Sequence, residues 1–490
     1  MFAKRLDEIM NIAGVSNSTT GRATAISGAH IGRLRNGTRP LPKQHDFLPP
    51  LCEYLARHIT KDYQLTALVN LTGMNEDSAG DSQKTALYLE NWLQEKPEDS
   101  AAGRFISGFS SYAAVSGAPS QSETLENEEK TDSESYYYGN EGKRRAVIRF
   151  FQAVLREKKP QTLLLYSDEP FAWLYEDVVF VRQWMKLFGT VLKKGNRVKI
   201  VHTVSRDMNE MMEGLIKWIP IYMTGAIEPY YYPRLRDGLF QRTMFIAPDT
   251  AAVTSTAVQQ NTDRNLNSYV EDKNAVTALT VEFEQFLAQC RPLMRIFPLQ
   301  KGREFIGEMN ALAAAEGECI VSSDMPLLFS MPEALAREIS EAFESPAFYD
   351  SWRKSVLQFE HINNSRRFTE CFLSPATVLR PPDSLKLAMG SFLLAKDFQY
   401  TEAQYLSQIA RLEELQEQFD NFTVIRKDKQ PTNVLLYYKE YQGAVVAKTT
   451  IPSAAFTFSE QNMVVALGDY LKNVMEEPDN SFFSLFPDAS

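Results

Sequence analysis

The chain has 490 residues, of which 44% are apolar, with 30 Phe and 21 Tyr and a formal net charge of −10. That length and apolar content imply about two to four domains with buried cores. The negative balance excludes a chain coated in nucleic acid along its length, but it leaves room for one small basic module.

Apolar residues at Phe2, Leu6, Ile9 and Met10 mark one face of a helix, with Gly14 as its stop. Ser16 or Ser18 caps a second helix running to about Thr24. Ala25-Ile26-Ser27 is a tight turn, and Ser27 caps a third helix from Gly28 to Arg35, ended by Asn36-Gly37. Two short helices around such a turn can seat the second in a DNA major groove. Phe47 to Ile59 carries Leu48, Leu51, Leu55 and Ile59, a fourth amphipathic helix able to close a small bundle, and Pro49-Pro50 must lie in its first turn or before it. Helical patterns follow at Tyr63–Leu71 and Ser82–Leu93. Residues 1–70 hold nine Lys/Arg against five Asp/Glu, while residues 71–142 hold four against fourteen. A basic head before an acidic connector suits a localised phosphate-binding surface.

Residues 97–140 read as linker. QSETLENEEKTDSES has almost no apolar residue to offset the entropy of ordering, so disorder is expected at about Gly117–Ser135. Beyond it, Arg144–Glu157 is helical, Thr162–Tyr166 a buried strand, Asp177–Lys194 a long helix and Arg197–Val204 a strand. Asp207–Trp218 is helical, Thr243–Ala247 and Ala251–Ser255 pair about Pro248-Asp249, and Val276–Cys290 is helical. This order predicts an α/β domain with a mainly parallel sheet. Residues 300–420 read as largely helical, clearest at Pro332–Phe343 and Thr401–Phe419. Phe422–Arg426, Asn433–Tyr438 and Gly443–Ile451 make a three-stranded meander, and Ser459–Val474 a closing helix. No short-period repeat is visible.

The fold class is therefore multidomain: an all-α helix-turn-helix bundle (1–73), a helical tail and acidic flexible linker (74–140), an α/β regulatory domain (141–298) and a helical region ending in a β meander and helix (299–490). Cys52, Cys290, Cys319 and Cys371 lie far apart and form no CxxC or Cys/His cluster, so neither a zinc site nor a disulfide framework is indicated. No metal or cofactor is expected. The N-terminus, MFAKRLDEIMNIAG, is charged where a signal peptide needs an apolar run. No apolar run of about 18 residues marks a membrane span. The expectation is a cytoplasmic protein that does not engage membranes.

Gly14-Val15-Ser16, Ala25-Ile26-Ser27, Ile31 with Leu34, and Asn36-Gly37-Thr38-Arg39-Pro40 together resemble the lambda-repressor/Cro-like (Xre-type) helix-turn-helix family. The resemblance implies a bundle of about four or five helices that binds double-stranded DNA. By position it places Gly28, Ala29, His30 and Arg33 on the base-reading face, with Arg33 able to fork onto a guanine. Ser27, Asn36, Thr38 and Arg39 then suit phosphate contacts, and Lys43 extends the basic rim. The bland alternative for Arg33 and Arg35 is a solvated face paired with carboxylates. Thr20 and Thr24 depart from the family by standing at usually apolar positions. Gly28 and Gly32 depart by lying inside the recognition helix, where each costs ~1 kcal/mol against Ala. Family members usually act as dimers, reading half-sites ~34 Å apart, so a homodimeric regulator with a sensory C-terminal region is implied, open to a small-molecule effector.

Residues 160–257 bear a fainter likeness to one half of the phospholipase D-like fold, through Lys194-Gly195, RVKIV and QRTMFIAPDTAAVTST. Setting that family's Asp on Asp249 puts Arg242 at its His and Met244 at its Lys, so nucleophile and phosphate-holding cation are both lacking. The likeness implies a sensory or structural relic and no hydrolase, and no enzymatic role is expected. Asp168-Glu169, at the end of the first strand, can hold a metal or cationic effector, or serve as a cap or solvated loop. His202 reads as a core histidine. Tyr230-Tyr231-Tyr232 with Trp218 and Tyr222 can line an effector pocket or pack in a core or subunit interface. His361, near Arg366 and Arg367, has no visible partner. The alternative to a DNA-binding regulator is an effector-binding or enzymatic α/β protein whose N-terminal bundle mediates protein contacts.

Overall fold

The computed structural model describes residues 2–39, 41–42, 45–72, 74, 76–94, 96–112, 134–169, 172–202, 208–234, 239–258, 264–363, 366–380, 385–394, 398–451 and 453–476. Seven helices come first: α1 (Phe2–Ala13), α2 (Asn17–Ala23), α3 (Gly28–Arg35), α4 (Leu48–His58), α5 (Asp62–Thr72), α6 (Glu76–Ala79) and α7 (Ser82–Gln94). Their apolar faces converge on one cluster running from Leu6, Ile9 and Met10 through Ile31, Leu34, Leu51 and Leu55 to Leu89 and Leu93. Pro49 and Pro50 lie in the first turn of α4, where their missing N–H groups cost nothing.

Within the stretch read as linker, α8 (Ala101–Ser111) is an ordered amphipathic helix. Phe105, Ile106 and Phe109 on it are wholly buried, and Phe109 lies 4.8 Å from the Phe456 ring. The expected disorder at Gly117–Ser135 falls, up to residue 133, outside the described residues.

Two sheets follow. The first takes β1 (Tyr136–Tyr138), α9 (Gly139–Arg156), β2 (Thr162–Ser167), α10 (Ala172–Tyr175), α11 (Val178–Lys193), β3 (Arg197–His202), α12 (Met208–Tyr222), β4 (Ile227–Tyr231), β5 (Phe240–Ala247), β6 (Ala251–Val258), β7 (Leu266–Val270), α13 (Lys273–Leu287) and the edge strand β8 (Arg291–Pro292). The second takes β9 (Met294–Pro298), α14 (Gly302–Ala314), β10 (Cys319–Ser323), α15 (Glu333–Ala342), α16 (Pro346–Asn363), β11 (Phe368–Leu373), α17 (Pro375–Val378), α18 (Gly390–Leu394), α19 (Glu402–Gln418), β12 (Phe422–Lys427), β13 (Val434–Lys439), β14 (Gly443–Lys448), β15 (Ala454–Phe458) and α20 (Gln461–Glu476).

The first sheet has the order β1-β7-β6-β5-β2-β3-β4-β8 and the second β9-β15-β14-β13-β10-β11-β12. The sense of pairing matches step for step. β2–β3 and β3–β4 are parallel, as are β10–β11 and β11–β12, and every other pairing is antiparallel. Apart from the extra edge β8, the second sheet is a topological copy of the first. The expectation of a mainly parallel sheet is thus corrected to two mixed sheets. The strands of the C-terminal meander belong to the second sheet, beside β10 and β11 from a region that reads as helical, with β15 and β9 completing it.

The first sheet is covered on one face by α9 and α11 and on the other by α13. The second is covered on one face by α14, α16 and α19 and on the other by α8 and α20. Among the described residues, no helix is long and apolar enough to cross a membrane.

Candidate nucleic-acid interface

Helix α2 starts with a reciprocal cap. The Ser16 hydroxyl accepts from the Thr19 N–H at 3.2 Å, and the Thr19 hydroxyl accepts from the Ser16 N–H at 3.1 Å. Thr20 and Thr24, the two polar departures, are both buried. Thr24 Oγ1 donates to the Thr20 carbonyl at 2.9 Å, so the helix backbone absorbs its polarity. Gly21 is required by contact: a Cβ there would lie 2.7 Å from Gly28 N and Ile26 O. Gly28 and Gly32 answer to the same crossing. A Cβ on Gly28 would meet Asn17 O at 3.1 Å, and one on Gly32 would meet Asn17 Nδ2 at 3.2 Å. The glycines that weaken α3 as an isolated helix are what let it lie close against α2.

The turn itself is strained. Ala25 has φ 55°, a left-handed conformation that costs an L-residue about 1–2 kcal/mol. Ala25→Gly is therefore expected to stabilise the head by about 1 kcal/mol, raising its urea midpoint; an unchanged or lowered midpoint contradicts this account.

Ser27 caps α3, accepting from the His30 N–H at 3.2 Å. Ile31 and Leu34 face the core and are wholly buried. The opposite edge leaves Ala29, Arg33 and Asn36 exposed, and past the helix Thr38 and Arg39 are exposed as well. Asn36 Oδ1 accepts from Thr38 N at 3.1 Å and Thr38 Oγ1 at 2.8 Å, and Arg39 N donates to Arg33 O at 3.1 Å. These bonds fix the chain around Gly37, which has φ 73°. Lys43 lies outside the described residues.

The three arginines of α3 and its exit divide by role. Arg35 is a strut: Nε donates to Asp7 Oδ1 at 2.9 Å, Nη1 to Asn17 Oδ1 at 2.8 Å and Nη2 to Asn11 Oδ1 at 2.9 Å, tying α3 to α1 and α2. Among the described residues Arg33 donates to its own helix, to Ala29 O at 3.4 Å, and Arg39 approaches His30 Nδ1 at 3.5 Å. Among the described residues, neither has a carboxylate at ion-pair distance. His30 turns its ring edge-on toward Phe47 at 5.9 Å. Burial, with Arg39 and Arg33 nearby, holds its imidazole below the ordinary histidine range, so it is neutral at pH 7. Asn17 and Arg22 escape sequence reasoning. Asn17 shares a cleft with Ala29, Gly32, Arg33 and Asn36, and Arg22 is exposed in the last turn of α2. An asparagine in the first turn of a helix gives no signal beyond capping.

The other motifs are not brought together into one site. Glu169, in the bend after β2, is wholly enclosed against Lys143, which corrects the reading of a solvated loop. Asp168 accepts from the Arg242 N–H and from Tyr166 Oη at 2.8 Å. Arg242 pairs with Glu282 on α13, while Asp249 is exposed at the far turn of β5–β6. His202 is half-buried, pushed down to about 4 by desolvation, and its Nε2 is hydrogen-bonded to the Tyr222 hydroxyl at 2.7 Å. Tyr230 packs on the α13 side of the sheet, and Tyr231, Trp218 and Tyr222 pack on the other. His361 is exposed on α16. No group of three metal-ligating side chains occurs among the described residues.

No family model matches the chain, and no curated protein sequence does. Among solved structures it is similar to TrmBL2, described as an archaeal chromatin protein with a novel mode of DNA binding. That match has 14% identity, a TM-score of 0.24, and covers 33% of this chain and 56% of the other. It is also similar to the polyphosphate kinase of Porphyromonas gingivalis, at 9% identity and TM-score 0.21, over 69% of this chain and 49% of the other. The chain spans about half the length of each, and at these TM-scores neither likeness carries an argument about function.

Proposed function

We propose that the protein is a sequence-specific DNA-binding transcriptional regulator, with the α2–α3 unit as its reading head. The observation that carries this is the exposed edge Ala29–Arg33–Asn36 continuing into Thr38 and Arg39. Among the described residues its two arginines have no carboxylate partner, and behind them Ile31 and Leu34 anchor the helix. A short, well-capped helix with exposed guanidinium groups on and just past it is what a major groove admits. Arg33, in the last turn of α3, is the base reader, and Ser27, Asn36, Thr38 and Arg39 line the phosphate contacts. Arg22 joins them from α2. Because one such helix reads few base pairs, the working unit is a homodimer. The two α/β sheets then serve sensing or assembly rather than catalysis.

Salt-dependent binding of the whole chain to operator-sized duplexes tests this. Arg39→Ala is expected to weaken binding about equally on all sequences and to reduce the salt slope by about one, while Arg33→Ala relaxes preference at one base pair by about 1–3 kcal/mol. Wild-type behaviour in both variants overturns the residue roles. No DNA binding by the unmodified chain overturns the reading and favours a head that mediates protein contacts.

A further inference from the structure

On the helical side of the second sheet lies a cavity of about 150 Å³. Helices α14, α16 and α18 meet one another over it, and residues of β11 and β13 line it from below. Its floor is aromatic. Phe329 and Phe359 stack at 4.0 Å, and Phe368 stands edge-on to both, at 5.5 and 5.7 Å. Leu435 and the ring of Tyr437 extend the floor, the Tyr437 hydroxyl being shut off from solvent and so no anchor for an occupant. Met389, on the wall before α18, has φ 63°. A residue with a side chain keeps that left-handed conformation only where its surroundings fix it, and such positions gather at ligand clamps.

The lining decides what can enter. Among the described residues that line the space, none is charged, so an ion gives up its hydration there and meets no countercharge. The polar side chains stand on α14 and α16, where Asn310, Ser351, Ser355 and Gln358 are half-buried and mark the mouth. All are already bonded within the protein. Ser351 Oγ donates to Ala347 O at 2.8 Å, Ser355 Oγ to Trp352 O at 2.7 Å and Gln358 Nε2 to Asn310 Oδ1 at 3.2 Å. An occupant therefore owes the walls no hydrogen bond. Size narrows the class further. Drug-sized ligands take pockets of roughly 300–1,000 Å³, whereas an apolar cavity of roughly 150 Å³ walled by Leu, Ile and Phe admits benzene. The rings of the floor favour another ring packed edge to face.

We propose that this cavity binds one small uncharged aromatic molecule, a single ring with at most one short substituent directed to the mouth at Ser351, Ser355 and Gln358. An empty apolar space leaves its walls without packing partners, and a ring of matching size supplies them to three helices at once. In a regulator such a ring is the effector of the second sheet. That consequence rests on the regulatory reading, whereas ligand binding itself does not.

The test is titration of the full chain, without DNA, with toluene and with phenol, followed by saturation-transfer NMR and by the thermal midpoint. Benzoate and benzylammonium, rings of the same size that carry a charge, are the controls. At least one of the two neutral rings is expected to bind saturably and raise the midpoint, and neither ion is. Ala388→Leu puts three more carbons into the space from its wall and is expected to weaken binding by about tenfold or more. Ser355→Phe closes the mouth and gives up only a hydroxyl bonded within its own helix, so it serves as a second blocked variant should Ala388→Leu disturb folding. Failure of both neutral rings to bind overturns the proposal, as does equal binding of the charged rings or undiminished binding in both variants. Because DNA is absent, these outcomes are separate from the fate of the head.

Discussion

Lys143→Met is expected to destabilise the first α/β unit by about 3–5 kcal/mol, the cost of leaving a buried charge without its partner. Lys143 on α9 and Glu169 after β2 are paired with both side chains wholly enclosed. The carboxylate is fully engaged. Oε2 meets the Lys143 ammonium, and Oε1 accepts from Thr243 Oγ1 at 2.9 Å and Ser255 Oγ at 2.7 Å. Thr243 in turn meets Ser167 Oγ at 2.8 Å. One network thus pins a helix to β2, β5 and β6. Burial pulls the Lys143 ammonium below the ordinary lysine range, and Glu169 pulls it back up. Removing the lysine leaves a desolvated carboxylate with only hydroxyl donors. Lys143→Met with Glu169→Gln removes both charges while an amide oxygen keeps the Thr243 and Ser255 bonds, so most of the loss is expected to be recovered. Urea unfolding of the two single variants and the double variant closes the cycle. A coupling below about 0.5 kcal/mol shows that the pair is not held as ions.

What could be read in the sequence follows the range of the interaction. Caps and turns are decided within a few residues, and Ser27, Asn36 and Gly37 bound α3 as their chemistry requires. The strands β2, β3, β5 and β6 are apolar runs beside clear turns and could be placed one by one. β10 and β11 are equally short, but they are separated by α15 and α16, β10 is partnered by β13 more than 100 residues on and β11 by β12 beyond α19, so CIVSS and FTECFL are lost among helical patterns. The duplication of the sheet is hidden for the same reason: it is kept in strand order and sense, which sequence periodicity does not record. In the head, Gly28 and Gly32 read as weaknesses because the price of an isolated helix is local, while the close approach to Asn17 that they permit is tertiary. Asp168-Glu169 looks like a solvated pair, since nothing near it in the chain announces Lys143, 26 residues before, or Thr243, 74 residues after.

Glu370 sets the second large effect, a loss of stability as pH rises toward 8. It sits on β11 between Phe368 and Phe372, wholly buried, with Oε1 accepting from Leu327 N at 2.6 Å and Oε2 without a partner among the described residues. Desolvation pushes its carboxyl up to about 8 against an ordinary 4.5, outweighing the Leu327 bond that pulls it down. The folded chain therefore keeps a proton that the unfolded chain releases. This contribution is complete below pH ~4.5, fades as pH rises and is gone above ~8, a span on the order of 3–5 kcal/mol. Asp324, pushed up to about 6, has the same sign but is spent by pH 7. His202, held at about 4, has the opposite sign and acts below the ordinary histidine value. Of these three groups, only Glu370 still titrates between pH 7 and 8.5. Glu370→Gln keeps an oxygen for Leu327 N and cannot ionise. It is expected to flatten the slope there and to exceed the wild type at pH 8.5 by about 1–3 kcal/mol, while matching it more closely at pH 5. Urea midpoints at those three pH values measure the effect. Parallel profiles for the two proteins would mean that Glu370 titrates in the ordinary carboxylate range and that the loop at Leu327 is not packed against its buried carboxyl.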